Sequence, residues 1–410
     1  MDDLFKNKLI SAVQRFSDWL ERYGEVSQDQ YDFWATTCGQ YAKALYYRKP
    51  LLGSIAVAPI VFLDSFLPST RRCFRKRSRF PIADAHFAMG YFYIYQVTGD
   101  EKFYQKAIHF LEMLQQTRCP GYKHSGWGYP FDWMTNSGVI QAQTPLVTTT
   151  PYVYEAFVAA SEIRPNPRWS EILHSIAEHL AFDFDDTLLN DQSSACSYIP
   201  RDKLTGKKYP PVVNASAYRA FVLTEAALRF KDKRYQNIAQ KNLNFVLEAQ
   251  QEDGSWFYAV GEKDQFVDHF HTCFVLKNLL KVAILTGDKR FQKAIIKGLE
   301  YYKTQLLDQI GLPKPFAKEQ RFTTYRRELY DYAENINLYV LLQKTRSQFG
   351  EISDYPLQDL LSRWQKPDGS FRTRQLLLGW NNVPYHRWAQ SQLFRSLTFL
   401  LVYGNAKTGN

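Results

Sequence analysis

The sequence lacks the cysteine pattern of a disulfide-rich or zinc-binding protein. Its five cysteines are odd in number and include no Cys-x-x-Cys pair. Unpaired thiols are typical of a reducing compartment. The first residues are acidic, where a secretory signal would be basic and then apolar. We therefore expect a cytoplasmic protein.

Long hydrophobic runs are also missing. The longest extends from Leu51 to Leu67, and a glycine, a proline and an aspartate interrupt it, so it does not match a membrane-spanning helix. A dense basic cluster, from Arg71 to Arg79, follows at once. Residues 51–80 are therefore predicted to form a peripheral insertion of apolar and basic character. Such a segment either docks on an anionic leaflet at the inner membrane or folds as a buried hairpin with a solvated basic loop.

Recognisable nucleic-acid-binding modules are absent, since there is no zinc-finger spacing, no RNP-like strand and no long run of lysine and arginine. The chain nevertheless carries 51 basic and 41 acidic residues, a net charge of +10. This excess allows an anionic partner. We expect an acidic glycan, with an anionic membrane surface as a further partner, and no nucleic acid.

Aromatic residues are abundant and make up 16% of the chain, with 29 Phe, 27 Tyr and 9 Trp. Such rings either fill the core between large helices or line a cleft. Sugars present flat C–H faces that pack on aromatic rings, while their hydroxyl groups need polar partners around the edges. The composition is therefore compatible with a carbohydrate-binding cleft.

A repeated unit of roughly 55 to 67 residues organises the chain. Its clearest copies share a turn: residues 98–103 read Thr-Gly-Asp-Glu-Lys-Phe, and residues 286–291 read Thr-Gly-Asp-Lys-Arg-Phe. Residues 231–235 and 164–169 occupy the same place in two further units. In each unit a helix that is apolar nearly all round precedes the turn, and an amphipathic helix follows it. We predict that the first is an inner helix and the second an outer one.

Six inner helices are expected, which is the number that closes a double ring. They begin near Asp84, Pro151, Asn214, Asp268, Tyr330 and His386. An open solenoid of helical pairs would have shorter repeats, of about 34 to 47 residues. The sequence therefore predicts an all-α fold, an (α/α)6 toroid of helical hairpins with short rim loops or hairpins, in a single domain over residues 1–410.

The alternating hairpins, and turns such as Asp253-Gly254-Ser255-Trp256, carry a resemblance to a known superfamily. The chain resembles the six-hairpin toroids, which include many glycoside hydrolases, polysaccharide lyases and the helical domain of glucuronyl C5-epimerases. More narrowly, it is similar to uncharacterised toroid proteins of bacterial capsule and exopolysaccharide gene clusters. The resemblance implies the fold and a carbohydrate ligand. It assigns no residue a role, because no catalytic signature of a named family matches the sequence.

Polar side chains at the starts of the inner helices should meet in one funnel, because all these starts point to one end of a toroid. Asp and Asn could simply cap their helices there. Capping does not explain the histidines, which are costly to bury without a partner. The candidate catalytic residues are Asp84, His86, Asp132, Asp268, His271, Tyr330, Asp331, Glu334 and His386. His269 and His271 are two residues apart and point in different directions on a helix, so we expect no metal centre, and we expect no cofactor.

A segment rich in glycine and aromatic residues, 126–133, is predicted to be a rim loop that either presents its rings to a sugar or is pinned by buried rings. The candidate substrate-binding residues are Trp127, Tyr129, Trp133, Tyr152, Asn214, Trp256, His269, Arg326, Arg327 and Arg387. Arg372 and Arg374 lie on a later connection. Like Arg326 and Arg327, they are suited to bind a carboxylate or a phosphate through two hydrogen bonds.

Three functions remain open on the sequence. The first is an enzyme of bacterial polysaccharide biosynthesis that processes an acidic glycan as a lyase, an epimerase or a hydrolase. Hydrolysis would use two carboxyl groups, whereas elimination or C5-epimerisation would use a His or Tyr base beside a uronate. The second is a non-catalytic glycan-binding or scaffold protein of a polysaccharide-assembly complex. The third, a helical-barrel isoprenoid enzyme, is weakened because Asp183, Asp185 and Asp186 follow an outer helix.

Overall fold

The computed structural model describes residues 3–203, 209–261, 265–319, 323–345 and 348–404. Its α-helices in these ranges are, in chain order, α1 (Asp3–Tyr23), α2 (Thr37–Arg48), α3 (Pro50–Phe66), α4 (Arg71–Phe74), α5 (Pro81–Thr98), α6 (Glu101–Gln116), α7 (Thr150–Ile163), α8 (Pro167–Phe182), α9 (Val213–Phe230), α10 (Lys233–Glu248), α11 (His269–Thr286), α12 (Gln292–Tyr301), α13 (Leu329–Lys344), α14 (Tyr355–Asp359) and α15 (Ser391–Tyr403). Its strands are β1 (Trp133–Thr135), β2 (Gly138–Ile140), β3 (Phe184–Asn190), β4 (Ser193–Pro200), β5 (Val267–Asp268), β6 (Phe316–Lys318), β7 (Tyr325–Glu328), β8 (Arg374–Leu376) and β9 (Trp380–Asn381). Turns of π-helix at Tyr302–Leu306 and Leu360–Trp364 extend α12 and α14. The segment His386–Gln390 precedes α15 and is kinked, because the backbone of Trp388 and Ala389 is not helical.

Six helices form an inner ring and six others surround it. The inner helices are α5, α7, α9, α11, α13 and α15; each packs on the next, and α15 packs on α5, so that the ring is closed. The outer helices are α1, α6, α8, α10, α12 and α14. The predicted (α/α)6 toroid is therefore confirmed.

The two rings differ in burial as their sequences predict. Inner helix α11 buries residues on all its faces, from His269 to Ala283. Outer helix α6 buries only the stripe formed by Phe103, Ala107, Phe110, Leu111 and Leu114. A stripe of that spacing covers one side of a helix, so α6 turns it toward the inner ring and leaves its polar side in solvent.

The duplicated turn has the same structure in both copies. Gly99 and Gly287 end their inner helices with φ angles of 68° and 67°, in the left-handed region that glycine adopts without strain. Asp100 and Asp288 then accept the backbone N–H two residues ahead, at 3.0 and 2.9 Å, and so cap the helical turn that follows. The sequence repeat thus reflects one way of reversing from an inner to an outer helix.

Short strand pairs lie beside the ends where several inner helices begin. β5 leads directly into α11 and pairs with β6, and β7 leads into α13 and pairs with β8, which also pairs with β9. β1 and β2 form a small hairpin, while β3 and β4 form a longer one that packs on α10. Most of the strands therefore build the loops around one end of the toroid, as predicted.

A pair of helices, α2 and α3, lies outside the two rings; we call residues 37–67 the helical hairpin. The helices cross so closely that a Cβ atom on Gly53 would lie 2.0 Å from the Cα of Tyr46. Its base is tied to the toroid, since the Ser65 hydroxyl donates to Thr324 at 2.9 Å and Asp64 pairs with Arg71 at 2.6 Å. In the described ranges we find no helix with the length and hydropathy needed to cross a membrane.

Candidate functional site

The start of α11 brings a carboxylate and an imidazole into direct contact. Asp268 caps the helix: its Oδ1 accepts the backbone N–H of His271 at 2.9 Å, and its Oδ2 lies 2.7 Å from Nδ1 of the same histidine. When the carboxylate holds a proton on Nδ1, Nε2 keeps its lone pair. Asp268 is buried, whereas the His271 side chain is 23% exposed. The pair is therefore an oriented base that a ligand can reach.

A second carboxyl group, that of Asp331 on α13, lies in different surroundings. Its side chain is buried, and neither oxygen has a hydrogen-bond partner in the protein. Burial raises the pKa of Asp331 well above its usual range, and the negative charges of Glu328 and Asp268 raise it further. Asp331 therefore keeps its proton at pH values where an exposed aspartate is ionised. Neighbouring carboxyl groups in such unlike surroundings are suited to separate acid and base roles.

Below this layer a chain of buried polar side chains fills the barrel axis. Glu334, one helical turn after Asp331, accepts from the Lys277 ammonium at 2.8 Å. The same ammonium donates to the Tyr152 hydroxyl at 2.7 Å, and Tyr152 is hydrogen-bonded to Tyr218. Burial lowers the pKa of Lys277, and the Glu334 carboxylate opposes that shift. This network forms the floor of the site.

Further along the axis the network continues with buried charges. Glu155 pairs with Lys281 at 2.7 Å and with Arg395 at 3.1 Å. His86 lies against Tyr152, with ring centroids 4.4 Å apart. Burial lowers the pKa of His86 well below its usual range, and the nearby cations, Arg395 first, lower it further. The structure therefore places a neutral His86 on the axis, beside the floor rather than at the mouth.

Half-buried aromatic rings surround the mouth above the Asp268–His271 pair. Trp388 stacks on Tyr330 at 4.7 Å between ring centroids, and Phe270 contacts both rings. The partly exposed rings, which we call the aromatic rim, are Tyr31, Tyr129, Phe131, Trp133, Tyr198, Tyr258, Phe266, Phe270 and Trp388. Tyr31 links the two sides, because it contacts both Trp133 and Trp388 at 6.3 Å. The rim offers flat apolar faces beside an imidazole, which suits a sugar ring.

Arg387 lies among these rings with its charge already neutralised. Its guanidinium donates to both oxygens of Asp29, at 2.6 and 2.8 Å. It also lies 4.6 Å from the centroid of Tyr129 and 5.3 Å from that of Trp388. Arg387 was predicted to bind substrate; in this arrangement it holds the rim residues in position.

The backbone before α15 is strained next to the rim. Ala389 has a φ angle of 125°, which an L-residue rarely adopts and which costs on the order of 1–3 kcal/mol. The adjacent Trp388 leaves the helical path there, and its indole N–H donates to Glu328 at 2.8 Å. Arg374 donates to the same Glu328 oxygen at 2.6 Å. Strain of this kind clusters at functional sites, which supports the choice of this end of the barrel.

Two predicted catalytic residues at other helix starts face the outer ring instead. Asp84 pairs with Arg79 at 2.7 Å, and burial raises the pKa of Asp84 to about 7 although Arg79 opposes the shift. His386 donates through Nε2 to the Gly24 carbonyl at 2.9 Å, and burial lowers its pKa to about 4. The structure therefore brings together Asp268, His271, Asp331 and Glu334. It places Asp84 and His386 between the two rings.

Trp127 and Trp256 lie in the core, although both were predicted to contact substrate. Their indole N–H groups donate to carbonyl groups of the outer helices, Trp127 to Leu114 at 2.6 Å and Trp256 to Val246 at 2.9 Å. Each tryptophan therefore fixes the loop in which it lies to the preceding outer helix, Trp127 to α6 and Trp256 to α10. Neither belongs to the aromatic rim, because both are almost completely buried.

Three further predicted residues contact the scaffold or are enclosed by it. Asp132 is exposed and accepts the backbone N–H of Ala142 at 2.8 Å. His269 is buried, with Nε2 3.0 Å from the Tyr302 hydroxyl. Asn214 is buried in the first turn of α9, and its Oδ1 has no hydrogen-bond partner in the protein.

The four arginines predicted to bind a carboxylate or phosphate lie on or just before the paired strands β7 and β8, and they differ in their contacts. Arg374 reaches Glu328, as described above. Arg327 is engaged by Asp308 and by the Pro313 carbonyl. Arg372 donates to the Arg363 carbonyl at 3.1 Å, and Arg326 is exposed. Arg327 and Arg374 are thus each paired with a carboxylate of the protein.

The aspartates that follow α8 are each engaged by a cation or an imidazole. Asp183 contacts His179 at 2.6 Å, Asp185 pairs with Arg201 at 2.6 Å, and Asp186 pairs with Arg219 at 2.8 Å. In the part of the chain that the structure describes, no group of three or more His, Cys, Asp or Glu side chains is arranged to hold a metal ion.

Several residues that form or support the mouth were not predicted, among them Asp29, Tyr31, Phe270, Glu328 and Trp388. Asp29 and Tyr31 lie in a connection outside the repeat, so no periodic signal marks them. Phe270 stands between two histidines, and only the helical phase decides that it faces the mouth. Glu328 and Trp388 directly adjoin predicted residues, which is the one signal that could have suggested them.

Comparison with known proteins rests on structure. No protein-family model and no curated protein matches the sequence. An unsaturated glucuronyl hydrolase specific for heparin matches over 98% of this chain and 98% of its own, with a TM-score of 0.64 and 11% identity. Cellobiose 2-epimerase from Bacillus thermoamylovorans matches over 79% of this chain and 87% of its own, with a TM-score of 0.59 and 10% identity. An α-mannanase of glycoside hydrolase family 76 from Bacteroides thetaiotaomicron matches over 80% of this chain and 87% of its own, with a TM-score of 0.59 and 11% identity. The chain thus has the (α/α)6 toroid fold found in these carbohydrate-active enzymes.

Proposed function

We propose that the protein is a carbohydrate-active enzyme that processes a glycan chain beneath the aromatic rim, by proton transfer at a sugar ring as in lyases and epimerases. One observation carries the proposal. A reachable imidazole, His271, is oriented by Asp268, and the neighbouring carboxyl group of Asp331 keeps its proton. A base and an acid held at one mouth are the groups that such chemistry needs.

Each group has a distinct part in this reaction. In an elimination, Nε2 of His271 removes the proton on the carbon next to a uronate carboxylate, and Asp268 stabilises the imidazolium that forms. The electron pair forms a C=C bond, the adjacent C–O bond breaks, and the leaving oxygen takes the proton of Asp331, which a side-chain movement must first uncover. In an epimerisation, the acid instead returns a proton to the same carbon from the opposite face.

We further propose that the glycan is acidic and that the protein acts in bacterial polysaccharide biosynthesis in the cytoplasm. A uronate acidifies the C–H bond that the base must break, and the net charge of +10 attracts an anionic chain. Arg374 and Arg387 at the mouth are already paired with carboxylates, so the attraction is mainly long-range. All five cysteines are free thiols, which suits a reducing compartment.

A non-catalytic glycan-binding role is the second candidate, and the burial of two acidic groups favours it. Asp331 and Glu334 are almost completely covered. A sugar on the aromatic rim therefore reaches His271 but meets these carboxyl groups only after a rearrangement. In this role the rim would bind the chain and His271 would serve as a hydrogen-bond partner.

Deuterium incorporation distinguishes these functions. Purified protein is incubated in D2O with uronate-containing and with neutral bacterial polysaccharides, and the products are analysed by NMR and mass spectrometry. The proposal expects ring-bound deuterium or unsaturated chain ends in the uronate polymers only. H271Q should abolish both, whereas H174Q, which alters an exposed histidine on α8, should not. New reducing ends without unsaturated ends and without deuterium would identify a hydrolase, and unchanged glycan that binds in calorimetry would support the scaffold role.

A further inference from the structure

The helical hairpin exposes an apolar surface that the toroid leaves uncovered. On α3 the buried residues are Gly53 and Ser65, which is the reverse of an ordinary surface helix. Leu51 is 88% exposed and Ile55 73% exposed. The large exposed apolar residues of the hairpin are Tyr41, Tyr47, Leu51, Leu52, Ile55, Val61, Phe62, Phe66 and Leu67. Contiguous apolar surface of this kind marks a binding surface.

The exposed residues of α3 form one continuous stripe. At about 100° per residue, Leu51, Ile55, Phe62 and Phe66 project within about 60° of one another. Exposed Pro59 lies at the edge of this stripe. The apolar face therefore runs the length of the helix, which suits a flat, extended surface better than a small pocket.

Positive charge is concentrated beside this face. Residues 37–80 contain nine basic residues and one acidic residue, against 51 and 41 in the whole chain. The single acid, Asp64, is paired with Arg71. Arg48 and Lys49 are exposed before α3, and Arg72 and Lys76 are exposed after it. Exposed positive charge thus flanks both ends of the apolar stripe.

We propose that the helical hairpin docks on an anionic lipid surface, with the stripe of α3 in the interfacial region and the flanking basic residues against lipid phosphates. Apolar insertion combined with attraction to anionic headgroups is the way in which interfacial helices bind. A second copy of the chain would cover the apolar face but would bring two strongly positive segments together. The charge therefore favours lipid over self-association.

Docking also orients the candidate site. The base of the hairpin contacts the rim, because the Lys43 ammonium lies 5.1 Å from the centroid of Tyr31. Asp64 lies 3.6 Å from Arg374, which holds Glu328. A docked hairpin would keep the mouth close to the lipid surface, where a lipid-linked glycan would present its chain. This last consequence rests on the proposed function, whereas docking itself does not.

Co-sedimentation with lipid vesicles tests the docking. The full chain should bind phosphatidylcholine vesicles that contain phosphatidylglycerol, bind pure phosphatidylcholine far more weakly, and lose affinity as salt rises. The variant R48A/K49A/R72A/K76A should lose about fivefold in affinity per charge removed. The variant L51S/I55S/F62S should bind at least about a hundredfold more weakly. The matched controls L188S/L189S/L378S and K8A/K233A/K289A/K293A alter exposed residues elsewhere and should bind like the wild type.

Several outcomes would overturn the proposal. One is equal binding by L51S/I55S/F62S and the wild type, with circular dichroism showing that both are folded. Another is a wild-type protein that does not bind vesicles but forms a dimer in analytical ultracentrifugation, when L51S/I55S/F62S is a monomer. That result would show that the apolar face binds a second copy of the chain. A third is binding of soluble acidic polysaccharide through Arg48, Lys49, Arg72 and Lys76 without any binding of vesicles.

Discussion

Two acid and imidazole sets occupy the same level of the toroid and have opposite surroundings. Asp268 and His271 open α11 and face the mouth, where the imidazole is partly exposed. Asp84 and His386 stand at the starts of α5 and of the segment before α15, yet contact Arg79 and Gly24 beside the outer ring. Position in the repeat therefore sets the height of a side chain along the barrel. The helical phase, about 100° per residue, sets its direction.

The largest expected effect is on turnover, at the imidazoles. H271Q should lower kcat by about 10²- to 10⁴-fold, the usual contribution of a general base, and should leave the melting temperature nearly unchanged. H386Q should do the reverse, lowering the melting temperature because a buried hydrogen bond to Gly24 is lost. Kinetics on the reactive glycan and thermal melts of both variants check this. If H386Q lost more turnover than its unfolded fraction explains, His386 would have a role in catalysis and the contrast with His271 would be wrong.

The two tryptophans of the rim loop should separate stability from binding. W127A should lower the free energy of unfolding by about 3–5 kcal/mol, because it removes a large buried ring. W133A removes a half-buried ring of the aromatic rim and should weaken glycan binding by about tenfold with a small effect on stability. Denaturant titration and calorimetry measure the two quantities. If W127A and W133A weakened binding equally while both stayed folded, the assignment of Trp127 to the core would be wrong.

A smaller effect is expected in the pH dependence of stability. Burial raises the pKa of Asp84 to about 7. An aspartate whose pKa is higher in the folded than in the unfolded protein stabilises the fold only in its protonated form. Its contribution to the free energy of unfolding therefore falls as pH rises from about 4, the pKa in the unfolded chain, to about 7, the pKa in the folded protein. The wild type should lose stability relative to D84N across that window. D100N is the control, because hydrogen bonds from Lys102 lower the pKa of exposed Asp100. The stability of the wild type relative to D100N should therefore change with pH in the opposite direction. A wild-type–D84N difference that does not change with pH would count against the buried, protonated Asp84.

The smallest expected change in stability is at Asp331. D331N replaces a protonated carboxyl group by a neutral amide of the same shape, so the melting temperature near neutral pH should stay the same or rise slightly. Turnover should nevertheless be lost, because an amide donates no proton to a leaving group. A marked fall in melting temperature would mean that Asp331 is an ionised, stabilising group instead.

The sequence contained enough information for the architecture, and the reason is local. The turns at Gly99 and Gly287 encode the same reversal, and the burial patterns of α6 and α11 distinguish outer from inner helices. The direction of each polar side chain depends on tertiary packing, which is why Asp84 and Asp268 looked equivalent. Trp388 depends on the strained φ of Ala389, which no local propensity predicts. For residues 51–80 the sequence indicated the apolar and basic character, but which residues of α3 are covered is visible only in the fold.

A crystal structure with a uronate oligosaccharide bound tests the central claim most directly. The account predicts a sugar ring packed on the aromatic rim, with Nε2 of His271 within about 3.2 Å of the acidic C–H carbon or of a bridging water. It also predicts that the uronate lies on the side of Asp331. An oligosaccharide bound elsewhere on the toroid, with the rings of the mouth unchanged and His271 free of contacts, would contradict the account.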